Sequence, residues 1–231
     1  MGKIENLDFK KNTLRKINNY LQNISYKNNK REFTVKNPSG HHAICAGLNE
    51  NISVKINGHV GYYCGGMNQK AHITFNGNAG TGLGENMISG LIHVKGNASQ
   101  SAGATAHGGT IIIDGDASSR CGISMKGIDI IVKGSVGHMS GFMAQSGTML
   151  ICGDAGEALG DSIYETVIYL AGKPKSLGVD CVEKKINNKD IKKIEDLLKT
   201  GKIKKFKVKD FKKFGSQRKL YNFNIDNISD Y

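Results

Sequence analysis

Residues 92–103 read IHVKGNASQSAG, residues 111–122 read IIIDGDASSRCG and residues 130–141 read IIVKGSVGHMSG. The three stretches start 19 residues apart, and each has glycine at its fifth and twelfth places. The fifth-place series is Gly58, Gly77, Gly96, Gly115, Gly134, Gly153 and Gly172. The twelfth-place series is Gly65, Gly84, Gly103, Gly122, Gly141 and Gly160. Because solenoids stack one repeated unit, this spacing without any insertion indicates a solenoid.

The residues around each fifth-place glycine indicate a strand. Apolar side chains stand four and two residues before it and two residues after it, as Ile111, Ile113 and Ala117 do around Gly115. This period-two alternation buries one face of a strand. A strand every 19 residues leaves no room for a crossover helix, so successive strands must stack directly. We therefore predict an all-β solenoid, a single-stranded right-handed parallel β-helix of about seven turns. We expect its glycines either to take positive φ or to allow close approach of neighbouring backbones.

Other repeat folds fit the sequence less well. The Leu-x-x-Leu-x-Leu framework of leucine-rich repeats is absent, and left-handed hexapeptide helices would give about 18 residues per coil. The calcium-binding nonapeptide type requires a stacked Asp ladder that the sequence lacks, and propeller blades are about twice as long.

The ends of the chain differ from its centre. Residues 1–39 carry a net charge of +6, residues 40–172 carry −3 and residues 173–231 carry +9. Apolar stripes at helical spacing predict capping helices over 13–24, with Thr13 as N-cap, and over 188–200. Residues 202–211 alternate apolar residues with lysines, which predicts an edge strand or extended arm. We divide the chain into an N-terminal basic helical extension (1–39), the β-helix (40–175) and a C-terminal basic helix with an extended docking tail (176–231).

The composition indicates a cytoplasmic protein. Glycine is abundant, at 30 of 231 residues, whereas there are only 2 prolines, which excludes collagen. No apolar run approaches the length of a membrane span, and the N-terminus lacks the pattern of a signal peptide. The five cysteines form no Cys-x-x-Cys pair, which favours a thiol-reduced compartment.

The cysteines and histidines give no sign of a metal or redox site. Cys45, Cys64 and Cys121 share one place in the repeat, where other coils have Leu83, Ala102 and Leu159, so we expect a buried, inward position. The seven histidines occupy seven different places in the repeat, and no two would stack. A zinc or iron site needs converging ligands, and none is visible.

The remaining chemical signals are equally weak. Asp114 and Asp116 flank Gly115, which could suggest the carboxylate pair of a glycosidase groove, but solvated turn residues are expected there. The stretch Gly80–Gly84 resembles a phosphate loop, yet no helix follows it. The basic ends fit a partner-facing surface better than nucleic acid, because acidic residues intervene and aromatic residues are few. We therefore predict no catalytic, cofactor-binding or metal-binding residue in this chain.

The repeat resembles a known family. Its Gly-x₂-Gly-x₃-Gly pattern, as in Gly58-x₂-Gly61-x₃-Gly65, is similar to the C-terminal β-helix domain of the large subunit of glutamate synthase. Residues 101–104 (SAGA), 119–127 (SRCGISMKG) and 152–162 (CGDAGEALGDS) resemble the free-standing form of that domain found in split glutamate synthases. The resemblance spans about residues 40–231, including the tail from Gly215 to Phe223.

The resemblance implies a non-catalytic structural subunit. In that family the domain carries no catalytic residue, FMN ligand or cluster cysteine. It packs against a glutamine amidotransferase subunit and against a synthase subunit that holds FMN and an iron–sulfur cluster. The complex would make glutamate from glutamine and 2-oxoglutarate, although a relative making N-methylglutamate or another amino acid would use the same parts.

Two alternatives remain open. Residues 84–96 fit the Gly-x-x-Met-x-x-Gly-x-Ile-x-Val-x-Gly repeat that resembles the β-helix subunit of formylmethanofuran dehydrogenase, but Ala106 and Ala144 replace the Met in later copies and Ile128 replaces a Gly. The other alternative is a stand-alone carbohydrate-active β-helix enzyme using Asp114 or Asp116.

Overall fold

The computed structural model describes residues 7–24 and 31–218. Its elements are α1 (Leu14–Gln22), β1 (Glu32–Lys36), β2 (Ser53–Asn57), β3 (His72–Phe75), β4 (Leu91–Val94), β5 (Thr110–Ile113), β6 (Lys126–Val132), β7 (Ser146–Ile151), β8 (Val167–Leu170), β9 (Cys181–Lys184), α2 (Asn188–Thr200), a 3₁₀ turn (Val208–Asp210) and β10 (Lys212–Ser216).

The strands β1 to β8 lie side by side in chain order and are all parallel. From β2 onward the register advances by 19 residues per strand, apart from a bulge at the start of β6, so that Ile92 pairs with Ile111 and Ile111 with Ile130. A second column of parallel bridges joins Ala79, Ala98 and Ala117 at the same spacing. The predicted parallel β-solenoid with 19-residue coils and about seven turns is therefore confirmed.

Side chains of the repeat fill the inside of the solenoid. The two apolar positions before each fifth-place glycine are fully buried in the middle coils, as at Ile92, Val94, Ile111 and Ile113. They belong to one continuous cluster that runs from α1 to β10. The inner faces of the coils are thus held together by apolar burial, which no coil could achieve alone.

Helix α1 caps the N-terminal end of the solenoid, as predicted. Its Ile17 and Leu21 are fully buried in the core, and Thr13 accepts a hydrogen bond from the Lys16 amide as N-cap. Asn18 bonds Ala43 O and the Cys45 amide, at 2.8 and 3.0 Å, and Gln22 donates to Ala46 O at 2.8 Å. These side chains bond backbone groups at the N-terminal end of the solenoid, where no further coil is stacked.

Strand β1 was not predicted. It belongs to the region assigned from sequence to a helical extension, yet it pairs with β2 along its whole length. The offset between β1 and β2 is 21 residues (Glu32 pairs with Ser53), so β1 falls outside the 19-residue period that revealed the other coils.

The C-terminal end is closed by antiparallel pairing. Strand β10 inserts between β8 and β9 and runs antiparallel to both. The edge-strand alternative for 202–211 is wrong, because the strand starts at Lys212 and a 3₁₀ turn occupies Val208–Asp210. The apolar residues of that segment, such as Phe206 and Phe211, instead pack beside helix α2.

Helix α2 does not cap an end, and that prediction is also wrong. Its Ile194, Leu197 and Leu198 cover the outer face of the sheet. The outward position is polar in the early strands, with Lys55, Thr74 and His93, and apolar in the later ones. Those later outward residues are Ile112, Ile131, Leu150 and Tyr169. The helix lies where this apolar stripe would otherwise face water.

Candidate functional site

The part of each coil around the twelfth-place glycine has an unusual backbone. Residues two before, at and two after that glycine all have positive φ, as at Arg120 (57°), Gly122 (69°) and Ser124 (51°). We call these stretches the left-handed segments: 61–69, 80–88, 99–107, 118–126, 137–145 and 156–164. The predicted positive φ is confirmed for the whole twelfth-place series.

The fifth-place glycines serve the other predicted purpose, close approach of backbones. A Cβ at Gly77 would lie 2.6 Å from the carbonyl carbon of Gly58, and one at Gly134 would lie 2.8 Å from that of Gly115. Only Gly58 of this series has a positive φ (137°). The two glycine series therefore solve different steric problems in the same coil.

The left-handed segments present a mainly neutral outer surface. Tyr62, Tyr63, Met67, Ile88 and Met143 are between 43% and 54% exposed.

The phosphate-loop resemblance lies in one of these segments, and the next element after Gly80–Gly84 is strand β4. Without a helix N-terminus, this loop lacks the dipole that phosphate sites exploit.

The three aligned cysteines occupy the inward position that the repeat predicts. Cys45, Cys64 and Cys121 are fully buried. Burial raises the pKa of the Cys45 thiol far above its usual range, with the neighbouring Cys64 adding to the shift. Burial likewise raises the pKa of Cys64 to about 11 and that of Cys121 to about 12. Since the thiolate is the reactive form, these protonated thiols act as core side chains.

Asp114 lies between basic side chains on the outer face of the sheet. Its carboxylate lies 2.9 Å from His93 Nε2, 2.7 Å from Lys133 Nζ and 3.4 Å from Lys95 Nζ. Burial opposes ionisation of this carboxyl, but hydrogen bonds from Lys133 and His93 outweigh burial and lower its pKa. Asp114 lies in the bend that follows β5, and its side chain is 23% exposed, so it is only partly solvated.

Asp116 has a structural partner instead. Its Oδ1 accepts a hydrogen bond of 2.7 Å from the amide of Ser135, one coil further on. The same contact repeats through the solenoid: the residue after each fifth-place glycine accepts from the amide of its counterpart in the next coil. The acceptors are His59, Asn78, Asn97, Asp116, Ser135 and Asp154, at 2.7–3.0 Å. We call this column the acceptor ladder.

The acceptor ladder was not predicted, although its signal is present in the sequence. Every residue in that column can accept a hydrogen bond through a short side chain. The two aspartates of the glycosidase hypothesis thus serve different tasks. Asp114 contacts three basic side chains, and Asp116 accepts a hydrogen bond from a backbone amide.

A buried polar network attaches helix α2 to the solenoid. Asp190, in the first turn of α2, accepts from the Tyr169 hydroxyl at 2.7 Å and pairs with Lys213 Nζ at 2.8 Å. The side chains of Asp190 and Lys213 are only 7% and 13% exposed. Burial raises the pKa of Tyr169, and Asp190 adds to that shift, so the hydroxyl remains a donor. This network was not predicted, because its members lie on three separate elements.

The described residues offer neither a metal-binding cluster nor a membrane-spanning helix. Among residues 7–24 and 31–218, no group of three or more His, Cys, Asp or Glu side chains is placed to hold a metal ion. No helix within these ranges has both the length and the apolar character needed to cross a membrane.

The comparisons with known proteins agree with the repeat. The GXGXG motif family matches residues 11–226. The chain belongs to the GXGXG motif family. Protein GlxC of Rhizobium meliloti strain 1021 is 49% identical over 225 residues, which cover 97% of this chain and 99% of GlxC.

These matches confirm the predicted family, that of the Gly-x₂-Gly-x₃-Gly repeat domain in its free-standing form. GlxC consists almost wholly of the region that it shares with this chain. The residues from Tyr221 to Phe223, which contribute to the resemblance, lie outside the described residues.

Proposed function

We propose that this chain is a non-catalytic structural subunit of a glutamate synthase complex. One observation carries the proposal: the GXGXG family match extends over nearly the whole chain, and the repeat resembles the β-helix domain of glutamate synthase. The complex would take ammonia from glutamine and use it to aminate 2-oxoglutarate reductively to glutamate. The amidotransferase subunit and the FMN/iron–sulfur synthase subunit would carry the chemistry, in the cytoplasm.

The architecture suits such a role. Each coil is hydrogen-bonded to the next on the strand face and along the acceptor ladder, and the inside is filled by one continuous core. A body of this kind changes shape little when surfaces on opposite sides are loaded, because densely packed interiors resist deformation. It would therefore hold two enzymes at a fixed separation.

Affinity capture tests the proposal. The tagged chain is purified from extract of its own cells, and the proteins that co-elute in stoichiometric amount are identified. We expect a flavin-containing synthase and a glutamine amidotransferase. Recovery of a molybdopterin oxidoreductase would instead support the formylmethanofuran dehydrogenase alternative. A chain that co-elutes with neither, and degrades a polysaccharide by itself, would contradict the structural role.

The product of the complex is a separate question. The amino acid made would be set by the synthase subunit, so N-methylglutamate or another product is compatible with this chain. Supplying the purified complex with glutamine and 2-oxoglutarate, with and without methylamine, and identifying the product would decide this.

A further inference from the structure

The charged side chains of the molecule are unevenly distributed. On the solenoid, Lys95 and Lys133 contact Asp114, and Lys175 contacts Glu157. The solenoid lysines without a salt bridge among the described residues, such as Lys55, Lys70 and Lys126, lie apart from one another. After helix α2 the situation changes. Lys202, Lys204, Lys205, Lys207 and Lys209 follow one another with no acidic residue among them. We call these five residues the lysine row.

The lysine row faces solvent along its whole length. All five lysines are exposed, while the residues between them, Ile203, Phe206 and Val208, pack against the apolar cluster under α2. None of the five forms a salt bridge with any residue that the structure describes. Five like charges on neighbouring residues repel one another, so an opposing set of carboxylates would relieve an existing electrostatic cost.

The backbone of the row is anchored at both ends. The amides of Lys202 and Ile203 donate to Lys199 O and Leu198 O, at 3.0 and 2.8 Å, and so continue from the end of α2. At the other end, the Lys207 amide donates to Asp210 Oδ2 at 2.8 Å. A partner that binds the row would therefore order little additional backbone, and the entropic cost of docking is reduced.

We propose that the lysine row is a docking site for an acidic surface of a partner subunit. The inference rests on the proposed function, which supplies the partners, and adds the surface that meets one of them. Charge complementarity supports the assignment, since lysine ammonium groups attract carboxylates at long range and speed their encounter.

A protein partner fits the row better than a nucleic acid. Single-stranded nucleic acid is bound on free aromatic faces between basic residues. The aromatic ring within the row, that of Phe206, packs against Phe211 with centroids 5.8 Å apart, and Lys205 Nζ lies 5.6 Å from its centroid. Residues 184–213 contain 13 lysines and no arginine, the residue that pairs bidentately with phosphates and guanine.

The test compares two charge-reversal variants of the full chain. The row variant is Lys204→Glu/Lys205→Glu/Lys207→Glu/Lys209→Glu. The control variant is Lys16→Glu/Lys55→Glu/Lys70→Glu/Lys126→Glu, which makes the same change in net charge at exposed lysines elsewhere. Thermal unfolding is recorded first, to show that both variants keep the wild-type fold. Binding to the purified synthase subunit and to the purified amidotransferase subunit is then measured at about 0.05 M and about 0.3 M NaCl.

We expect the row variant to associate roughly tenfold or more slowly with one of the two subunits at low salt, with a smaller difference at high salt. The control variant should stay within about threefold of wild type, because dispersed charges contribute little to steering. If wild type binds and the row variant binds equally fast, the docking site is overturned while the proposed function stands. If wild type binds neither subunit, the proposed function is overturned and the partner assignment with it.

A nucleic-acid arm completes the test. Wild-type chain is titrated with a single-stranded DNA of mixed sequence at both salt concentrations. Tight binding that the row variant loses, together with unchanged binding of both variants to the two subunits, would overturn the protein assignment in favour of nucleic acid.

Discussion

The strand face and the left-handed segments of each coil reach the same stacking distance by different means. The strands use β-branched side chains in extended backbone, and every second residue enters the core. In the left-handed segments every second residue has a positive φ instead, and a glycine occupies the central one of these positions. The strand face therefore depends on side-chain volume, whereas the left-handed segments depend on the lack of a side chain.

The largest expected effect comes from placing a β-branched residue at the centre of a left-handed segment. At Gly122 (φ 69°), a Cβ would lie 3.0 Å from Met125 Sδ and 3.1 Å from Met149 Sδ. The change Gly122→Val adds backbone strain to overpacking, and we expect it to lower the free energy of unfolding by about 3 kcal/mol or more. Thermal denaturation followed by circular dichroism measures this.

A volume change on the strand face provides the control for that variant. Ile111→Val, in the fully buried face of β5, should lower the free energy of unfolding by about 1 kcal/mol. If Gly122→Val kept the melting temperature of wild type, the left-handed segments would not depend on glycine and the comparison would fail.

The next effect concerns the outer side of the strand face, where helix α2 is attached. Lys213→Met removes the buried partner of Asp190. We expect the free energy of unfolding to fall by about 2–4 kcal/mol, because a buried carboxylate loses its counter-ion. Lys212→Met is the matched control, since the Lys212–Glu183 pair is more than half exposed and should be worth below about 1 kcal/mol. Urea denaturation of both variants gives the two values.

The Lys213 effect should also depend on pH. Burial opposes ionisation of Asp190, but bonds from Lys213, Tyr169 and the Asn187 amide outweigh burial and lower its pKa below 3.8. A lowered carboxyl pKa contributes stability above the unfolded-state pKa of about 3.9, and that stability is lost as pH falls through the folded-state value. The difference in free energy of unfolding between wild type and Lys213→Met should therefore become smaller below about pH 4. An advantage that stayed constant from pH 7 to pH 3 would mean that Asp190 does not act through its charge.

A smaller effect has opposite signs in the two regions. Ser124 has a φ of 51°, so Ser124→Gly should raise the free energy of unfolding by about 0.5–1 kcal/mol by relieving strain. Thr74 lies in strand β3, and Thr74→Gly should lower the free energy of unfolding by a similar amount, about 1 kcal/mol. Differential scanning calorimetry should show one melting temperature rising and the other falling. Two changes of the same sign would contradict the distinction between the regions.

The smallest expected effect is in the acceptor ladder, which lies between the two regions in each coil. Asn97→Ala leaves the Asp116 amide without its 2.9 Å acceptor and should cost about 1 kcal/mol or less, because the site is exposed to water. Asn97→Asp keeps an acceptor, as Asp116 and Asp154 do in their coils, and should remain within about 0.5 kcal/mol of wild type. If Asn97→Ala and Asn97→Asp lowered the free energy of unfolding by the same amount, the ladder contact would contribute nothing to stability.

The strand face was predictable from sequence because its period-two burial and its glycine spacing repeat in every coil. The inward cysteines followed from the same reasoning, since Leu83 and Ala102 occupy their place in other coils. The left-handed segments were predictable only at their glycines. The flanking residues with positive φ, such as Arg120 and Ser124, have side chains that carry no marker of that conformation.

Several of the features that were not predicted pair elements far apart in the chain. The position of α2 was signalled by the outward residues Ile112, Ile131 and Leu150, but only once they are compared across coils. The insertion of β10 between β8 and β9 has no periodic signal at all. The Tyr169–Asp190–Lys213 network likewise depends on tertiary arrangement, which local patterns do not encode.

Reconstitution of the complex tests the central claim most directly. The purified amidotransferase and synthase subunits are assayed with 2-oxoglutarate and a reductant, once with glutamine and once with ammonia, in the presence and absence of this chain. We expect the chain to raise the glutamine-dependent formation of glutamate and to leave the ammonia-dependent rate unchanged, because its proposed role is to position the partners and not to catalyse the reaction. Equal glutamine-dependent rates with and without the chain would contradict it.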